Sequence, residues 1–156
     1  MDHVNYTIKL YSGDLYDLLN LFTLSTGLTS ADGIRHLIDI EKARGTAYYV
    51  AVENDVVIGM IGIFQDPTGR INEIEPPQII DLAVLPDYQH KGVAHALVNI
   101  AENNVRDAGH TRIWLYTDGN SASLPTFYRK LGYRLVSVIP DWFGERTCKA
   151  YFRKDL

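Results

Sequence analysis

The sequence predicts an α/β fold built on a mixed sheet, and three observations carry that expectation. Two β-rich runs in the middle of the chain are joined by a two-residue turn. An almost wholly apolar strand follows them. From there strands alternate with helices to the end of the chain, where two further strands close the pattern. The 156 residues are 46% hydrophobic, 22% charged and 11% aromatic. That is an ordinary globular mix, long enough to bury a core without staples. No repeat, charge block or low-complexity tract interrupts it, so residues 1–156 are read as one domain.

The elements follow in order. Val4 to Leu10 has β character. Leu15, Leu18, Leu19 and Phe22 then form one helical stripe capped by Asp14. Thr29 and Asp32 have capping-box spacing and open a second helix through Ile34, Leu37 and Ile38, with Gly45 closing it. Ala47 to Glu53 and Val56 to Phe64 are strands joined at Asn54-Asp55. Asp66 to Gly69 is a loop. Gln78 to Leu85 is a central strand, buried on both faces. Gly92 to Ala108 is an amphipathic helix with Val93, Leu97, Ile100 and Ala101 on one face. His95, Asn99, Glu102 and Arg106 form its polar stripe. Arg112 to Tyr116 is a strand, and a short helix ends at Leu131 and Gly132. Tyr133 to Ile139 and Thr147 to Arg153 are the last strands.

Several function classes drop out. Cys148 is the only cysteine, which excludes a disulfide scaffold and a Cys-rich zinc site and points to a reducing compartment. A net charge of −4 gives no footprint for a phosphate backbone, so no nucleic-acid partner is expected. Met1-Asp2-His3-Val4-Asn5 has no basic-then-apolar pattern, and no apolar run nears the ~20 residues of a membrane helix. A cytoplasmic protein without a membrane partner is the expectation. No glycines stand at G-x-G spacing, no phosphate loop of the G-x-x-x-x-G-K-[ST] type occurs, and no histidine sits in a metal-ligand pattern. No metal is therefore expected. Gly119 to Ser123 falls short of a nucleophile elbow by its last residue.

The stretch that carries chemistry runs from Asp81 to Val98: strand, Pro86-Asp87 turn, polar loop, then a helix beginning at Gly92. The first amides of such a helix lack intrahelical partners and carry the positive end of the dipole. Gly92 lets an anion approach without a Cβ in the way, and Lys91 adds charge nearby. The loop reads as a pyrophosphate seat or as an ordinary helix start.

Gln89-His90-Lys91-Gly92-Val93-Ala94 resembles the Q/R-x-x-G-x-G/A loop of the GNAT superfamily of N-acetyltransferases. Phe127-Tyr128-Arg129-Lys130-Leu131-Gly132-Tyr133 resembles its second motif, at the expected distance and in the expected order. The family often has Asn seven residues and Ala four residues before the tyrosine. Here those places hold Ser121 and Leu124, with Asn120 one step early and Pro125 inside a late-starting helix.

The resemblance implies a GNAT-like fold: a mostly antiparallel central sheet with a splayed parallel pair, flanked by about four helices. It implies acetyl-CoA as co-substrate and a small-molecule or peptide amine as acceptor, attacked directly in a ternary complex. Backbone of Leu82, Ala83 and Val84 would face the pantetheine arm, together with Asn120, and amides from His90 to His95 would face the pyrophosphate. Tyr128 stands where the family places the general acid. Asp81, an acid interrupting an apolar strand, is the first candidate for the base, with Glu73 and Glu75 as alternatives through water. The acids Glu73, Glu75, Asp81, Asp118 and Glu145 point to a cationic acceptor. Trp142-Phe143 is open between core, acceptor pocket and dimer interface, and a homodimer through the C-terminal strands stays open. So do two other classes: a non-catalytic acyl-CoA-binding module of the same fold, and an interaction domain without CoA.

Overall fold

The computed structural model describes residues 4–65, 76–119, 123–142 and 144–156. The elements are β1 (Thr7–Leu10), α1 (Leu19–Thr26), α2 (Ala31–Arg44), β2 (Ala47–Glu53), β3 (Val56–Phe64), β4 (Gln78–Val84), α3 (Val93–Asp107), β5 (Arg112–Asp118), α4 (Ser123–Lys130), β6 (Arg134–Pro140) and β7 (Cys148–Asp155). Short 3-10 turns at Leu15–Leu18 and Pro86–Tyr88 precede α1 and α3. One sheet runs β1-β2-β3-β4-β5-β7-β6. Every neighbouring pair is antiparallel except β4 and β5. This is the mixed sheet with one parallel pair that was expected, and β4 lies at its centre.

Local chemistry accounts for most boundaries. Asn54 and Asp55 both take left-handed φ (49° and 63°), the turn that matches strand twist in a tight hairpin. Asp14 accepts from the Tyr16 amide, but the turn it caps is 3-10 and α1 proper starts at Leu19. Gly27 and Gly45 end α1 and α2 in the left-handed region. The cap of α2 is Ser30, whose side chain accepts from the Gly33 amide, rather than Thr29. The 66–69 loop lies outside the described residues.

Helices cover both faces around β4. Leu21, Phe22, Ile34 and Ile38 pack with Tyr48, Val50, Met60 and Ala83 on one face. Val93, Leu97, Val98, Ala101 and Val105 pack with Ile113, Leu115, Tyr128 and Phe152 on the other. Glu102 corrects the sequence reading. It is only 4% exposed, because Val98 and Val105 also turn inward and widen the apolar stripe until it includes position 102. Lys154 Nζ donates to both its oxygens (2.7 and 3.1 Å), and Tyr133 Oη donates at 3.3 Å. No described helix is long and apolar enough to cross a membrane.

The parallel pair shapes the site. β4 and β5 share a single paired position, Gln78 with Trp114, reinforced by the Trp114 amide donating to Pro77 O at 3.0 Å. Beyond it the strands part, while β5 stays paired to β7 over its whole length. The cause lies in β4. Met60 pairs with Ala83 and Gly62 with Ile80, so Asp81 and Leu82 together oppose Ile61. That is a β-bulge, with Asp81 at φ 52°. A bulged strand bends, and here it leaves the middle of β4, from Ile80 to Leu82, half-buried instead of sealed on both faces.

Candidate active site

The loop from β4 to α3 is built to present backbone donors. Gln89 is extended, and its Nε2 donates to Val84 O at 3.0 Å, tying the loop to the end of β4. His90 and Gly92 both take left-handed φ (60° and 86°). Such reversals turn successive amides inward as an anion nest. Gly92 is the N-cap of α3 and no side chain caps the helix. Its carbonyl takes the first intrahelical bond, from Ala96 N at 3.0 Å. The amides of Val93, Ala94 and His95 are thus unpaired among the described residues. A Cβ built on Gly92 meets nothing within 4 Å, so the space before the helix is open. Val93 is buried and anchors the first turn. Lys91 and the His90 and His95 side chains are exposed. These features suit a pyrophosphate: an open, uncapped, dipole-positive helix start.

Asp81 sits at the bulge on the α1–α2 face. Tyr48 Oη donates to its Oδ2 at 2.8 Å, and Ser25 Oγ lies 3.5 Å from its Oδ1. Burial pushes its carboxyl up to about 6, against the opposing pull of the Tyr48 hydrogen bond and with a further push from the charge of Glu41. Glu41 is itself buried, held by Thr46 Oγ1 at 2.6 Å and Arg44 Nη1 at 3.3 Å. Burial and the Asp81 charge in turn hold the Tyr48 phenol well above its ordinary value, so it is a permanent donor. Tyr116 on β5 belongs to the same neighbourhood. Its phenol is raised by burial and then by the charges of Asp81 and Glu41.

Tyr128 lies on the other face of the sheet, 5% exposed, with its ring against Phe127, Tyr133 and Phe152 (centroids 5.0, 5.8 and 6.3 Å away). Its backbone carbonyl closes α4 by accepting from both Leu131 N and Tyr133 N. Burial raises the phenol above its ordinary value. Among the described residues its hydroxyl has no hydrogen-bond partner. Asp81 and Tyr128 therefore lie on opposite faces of the sheet, Asp81 on β4 beside Tyr48 and Tyr128 against Phe152 of β7.

The other sequence candidates fall as follows. Leu82 is half-buried in the opened stretch of β4, and Ala83 and Val84 are buried beyond it. Asn120, Glu73, Glu75 and Phe143 lie outside the described residues. Trp142 is largely exposed, and Cys148 is half-buried with its sulfur against Gly119. Among the described residues no group of three or more His, Cys, Asp or Glu could hold a metal. Sequence reading passed over Tyr48, Glu41, Tyr116 and Lys149. Each is an unremarked member of an ordinary element until tertiary contact brings it to the site.

Comparison with known proteins identifies the family and the fold. The family described as "Acetyltransferase (GNAT) family" matches residues 14–133. The chain belongs to that family. Human N-acetyltransferase 8 is 30% identical over 102 residues, which cover 62% of this chain and 44% of that protein. An N-alpha-acetyltransferase of Saccharolobus solfataricus is 22% identical over 151 residues, 93% of this chain and 83% of that one. The chain thus spans less than half the length of the human relative. Among solved structures, a GNAT family acetyltransferase from Elizabethkingia anophelis with acetyl-CoA bound superposes with a TM-score of 0.77 at 19% identity, covering 97% of this chain and 99% of that one. The fold is therefore that of the GNAT acetyltransferases.

Proposed function

We propose that the protein transfers an acetyl group from acetyl-CoA to a primary amine, by direct attack in a ternary complex. One observation carries the reading: Asp81 sits at the bulge where β4 parts from β5, on the sheet face opposite Tyr128, with its carboxyl raised by burial to about 6. Acetyl-CoA supplies the activated acetyl thioester. The chain supplies a seat, a base and a hydrogen-bond donor to the leaving sulfur.

The amides of Val93, Ala94 and His95, with His90, Lys91 and Gly92 shaping the loop, would hold the pyrophosphate. The edge of β4 from Leu82 to Val84, no longer paired to β5, would take the pantetheine arm as an added strand. Gln89 contributes by fixing the loop to Val84 rather than by touching the ligand. Asn120 is proposed as a pantetheine contact on the resemblance alone. An aliphatic ammonium with a pKa near ~10.4 is neutral only on the order of one part in a thousand at pH 7. Asp81, ionised at that pH and more basic than an ordinary carboxylate, takes the proton as the amine attacks. Tyr128, neutral at every working pH, donates toward the sulfur as the thiolate leaves.

Binding is tested by thermal unfolding. At one hundred times Kd, acetyl-CoA should add about 2.7 kcal/mol. That corresponds to a rise of several degrees at roughly 2–4 °C per kcal/mol for this size. ADP and NAD should not reproduce it. No rise with a well-folded sample would remove the cofactor assignment, and no release of CoA thiol with any amine would remove the transfer reaction.

The hydrogen bond from Tyr48 gives a second test. It favours the carboxylate form of Asp81. Tyr48→Phe should raise the Asp81 pKa and move the acid limb of kcat/KM upward by roughly one pH unit, with the plateau at high pH little changed. An acid limb that stays in place would show that Asp81 is not the group titrating.

A further inference from the structure

Lys149 is a cation nearly enclosed by rings. The residue is 8% exposed, and its Nζ lies 3.9 Å from the Tyr116 ring centroid, 4.5 Å from Trp142 and 4.9 Å from Tyr151. Rings hold a cation through their negative faces but accept none of its three N–H bonds in the way an oxygen does. Among the described residues no carboxylate pairs with it, Asp118 directly across the ladder included. Lysines are almost never this buried without such a partner. The ammonium is also not sealed. Arg153 Nε is the one side-chain atom among the described residues that is both fully buried and without a hydrogen-bond partner, so Nζ, which has none among them either, still reaches solvent.

Its position ties it to the candidate active site. Tyr116 pairs with Tyr151 across β5 and β7, and Lys149 lies over both rings. Tyr116 alternates with Ile113 and Leu115 along β5, so it stands on the sheet face opposite α3, the face on which Tyr48 holds Asp81. Tyr116, 44% exposed, thus shares a face with the proposed base and lies beneath an ammonium that no carboxylate of the described residues meets.

We propose that Lys149 binds a carboxylate on the acceptor, so that the acceptor is a small amino acid or short peptide whose amine meets Asp81 while its acid group meets Lys149. The assignment rests on the acetyltransferase reading above and adds the substrate class to it. The aromatic cage fixes the ammonium in place, so little side-chain freedom is lost when the carboxylate docks. Tyr116 lines the path between the two charged groups and favours an acceptor with an apolar body.

Matched acceptor pairs test this: an amino acid beside the amine formed by removing its carboxyl group, each assayed by CoA thiol release. Native protein should prefer the amino acid by about 10- to 100-fold in kcat/KM, the range of a charge-assisted hydrogen bond. Lys149→Met, which keeps an apolar stem in the cage, should abolish that preference through KM, leaving kcat and the decarboxylated amine nearly unchanged. Lys149→Arg should restore part of it. Thermal unfolding of each variant confirms that it is folded. Equal use of both members of a pair by the native protein, or an equal loss on both in Lys149→Met, overturns the proposal. If acetyl-CoA stabilises the protein but no amino acid or peptide is acetylated, the substrate class falls and the cofactor assignment stands. Failure of acetyl-CoA to bind would instead remove the underlying acetyltransferase reading.

Discussion

Asp81→Asn should lower the proposed acetyl transfer by about 10²–10³ in kcat/KM above pH 6 and make the folded protein more stable at the same pH. The two effects share one cause. Burial raises the carboxyl from its ordinary 3.8 to about 6 in the folded chain. The folded state therefore holds that proton more tightly than the unfolded chain does. Below about pH 4 both states carry it, and the site costs nothing in ionisation. As pH rises from about 4 to about 6 the unfolded chain releases its proton first, and stability falls. Above 6 the full penalty is present, on the order of 3 kcal/mol. Asparagine cannot ionise, so the variant escapes this penalty. It keeps an oxygen for Tyr48 Oη and is among the residues that best tolerate the left-handed φ of 52°. The Tm of the variant should exceed that of the native protein by several degrees at pH 7.5, and the two should converge toward pH 4. Equal Tm at pH 7.5 would mean that the carboxyl is not raised. Undiminished kcat/KM would mean that Glu73, Glu75 or a water chain takes the proton instead.

Such a penalty fits the role proposed for Asp81. A buried acid at a bulge, in a conformation most residues avoid, persists only when the surrounding fold over-determines it. Here the determinants are visible: α1 supplies Ser25, β2 supplies Tyr48, and β3 sets the register that forces two residues of β4 against one.

What could be read from the sequence divides along the line between local and long-range chemistry. The hairpin of β2 and β3 was legible to the residue, because Asn54-Asp55 names its own turn and the flanking strands are β-rich. The helix start at Gly92 was legible for the same reason, since an uncapped glycine before an amphipathic run has few other uses. Asp81 stood out as an acid inside an apolar strand, yet the bulge beneath it did not, because a bulge is a property of two strands and not of one. Tyr48 lies 33 residues before its partner, and no local pattern sets it apart from Tyr49. Tyr49 points to the other face and donates to Asn104 Oδ1 instead. The insertion of β7 between β5 and β6 had no local signature either, and it is this order that brings Lys149 beside Tyr116. Glu102 shows the converse error. Its charge argued for solvent, but a buried acid is tolerated where Lys154 and Tyr133 meet it, and both arrive from distant elements.

Tyr128→Phe should lower kcat by roughly 10²–10³ while leaving acetyl-CoA affinity within about twofold. The expectation is sharper than for an ordinary buried tyrosine, because the hydroxyl makes no hydrogen bond among the described residues. Removing it leaves no stranded partner, and the ring contacts with Phe127, Tyr133 and Phe152 survive in phenylalanine. The Tm should therefore stay where it is or rise slightly, which separates a catalytic loss from a structural one. Burial makes the phenol a weaker acid than usual, and a free thiol has a pKa near ~8.5, so complete proton transfer to the departing sulfur is uphill. The hydroxyl then acts by aiming a hydrogen bond at sulfur as its charge develops. It follows that the raised pKa is useful: a tyrosine that never ionises keeps its donor available across the whole range in which Asp81 is a base. The basic limb of the pH profile should accordingly owe nothing to Tyr128 and be the same in the phenylalanine variant at its reduced kcat. A kcat equal to that of the native protein would take Tyr128 out of the chemistry and return it to the core of the α3–α4 face.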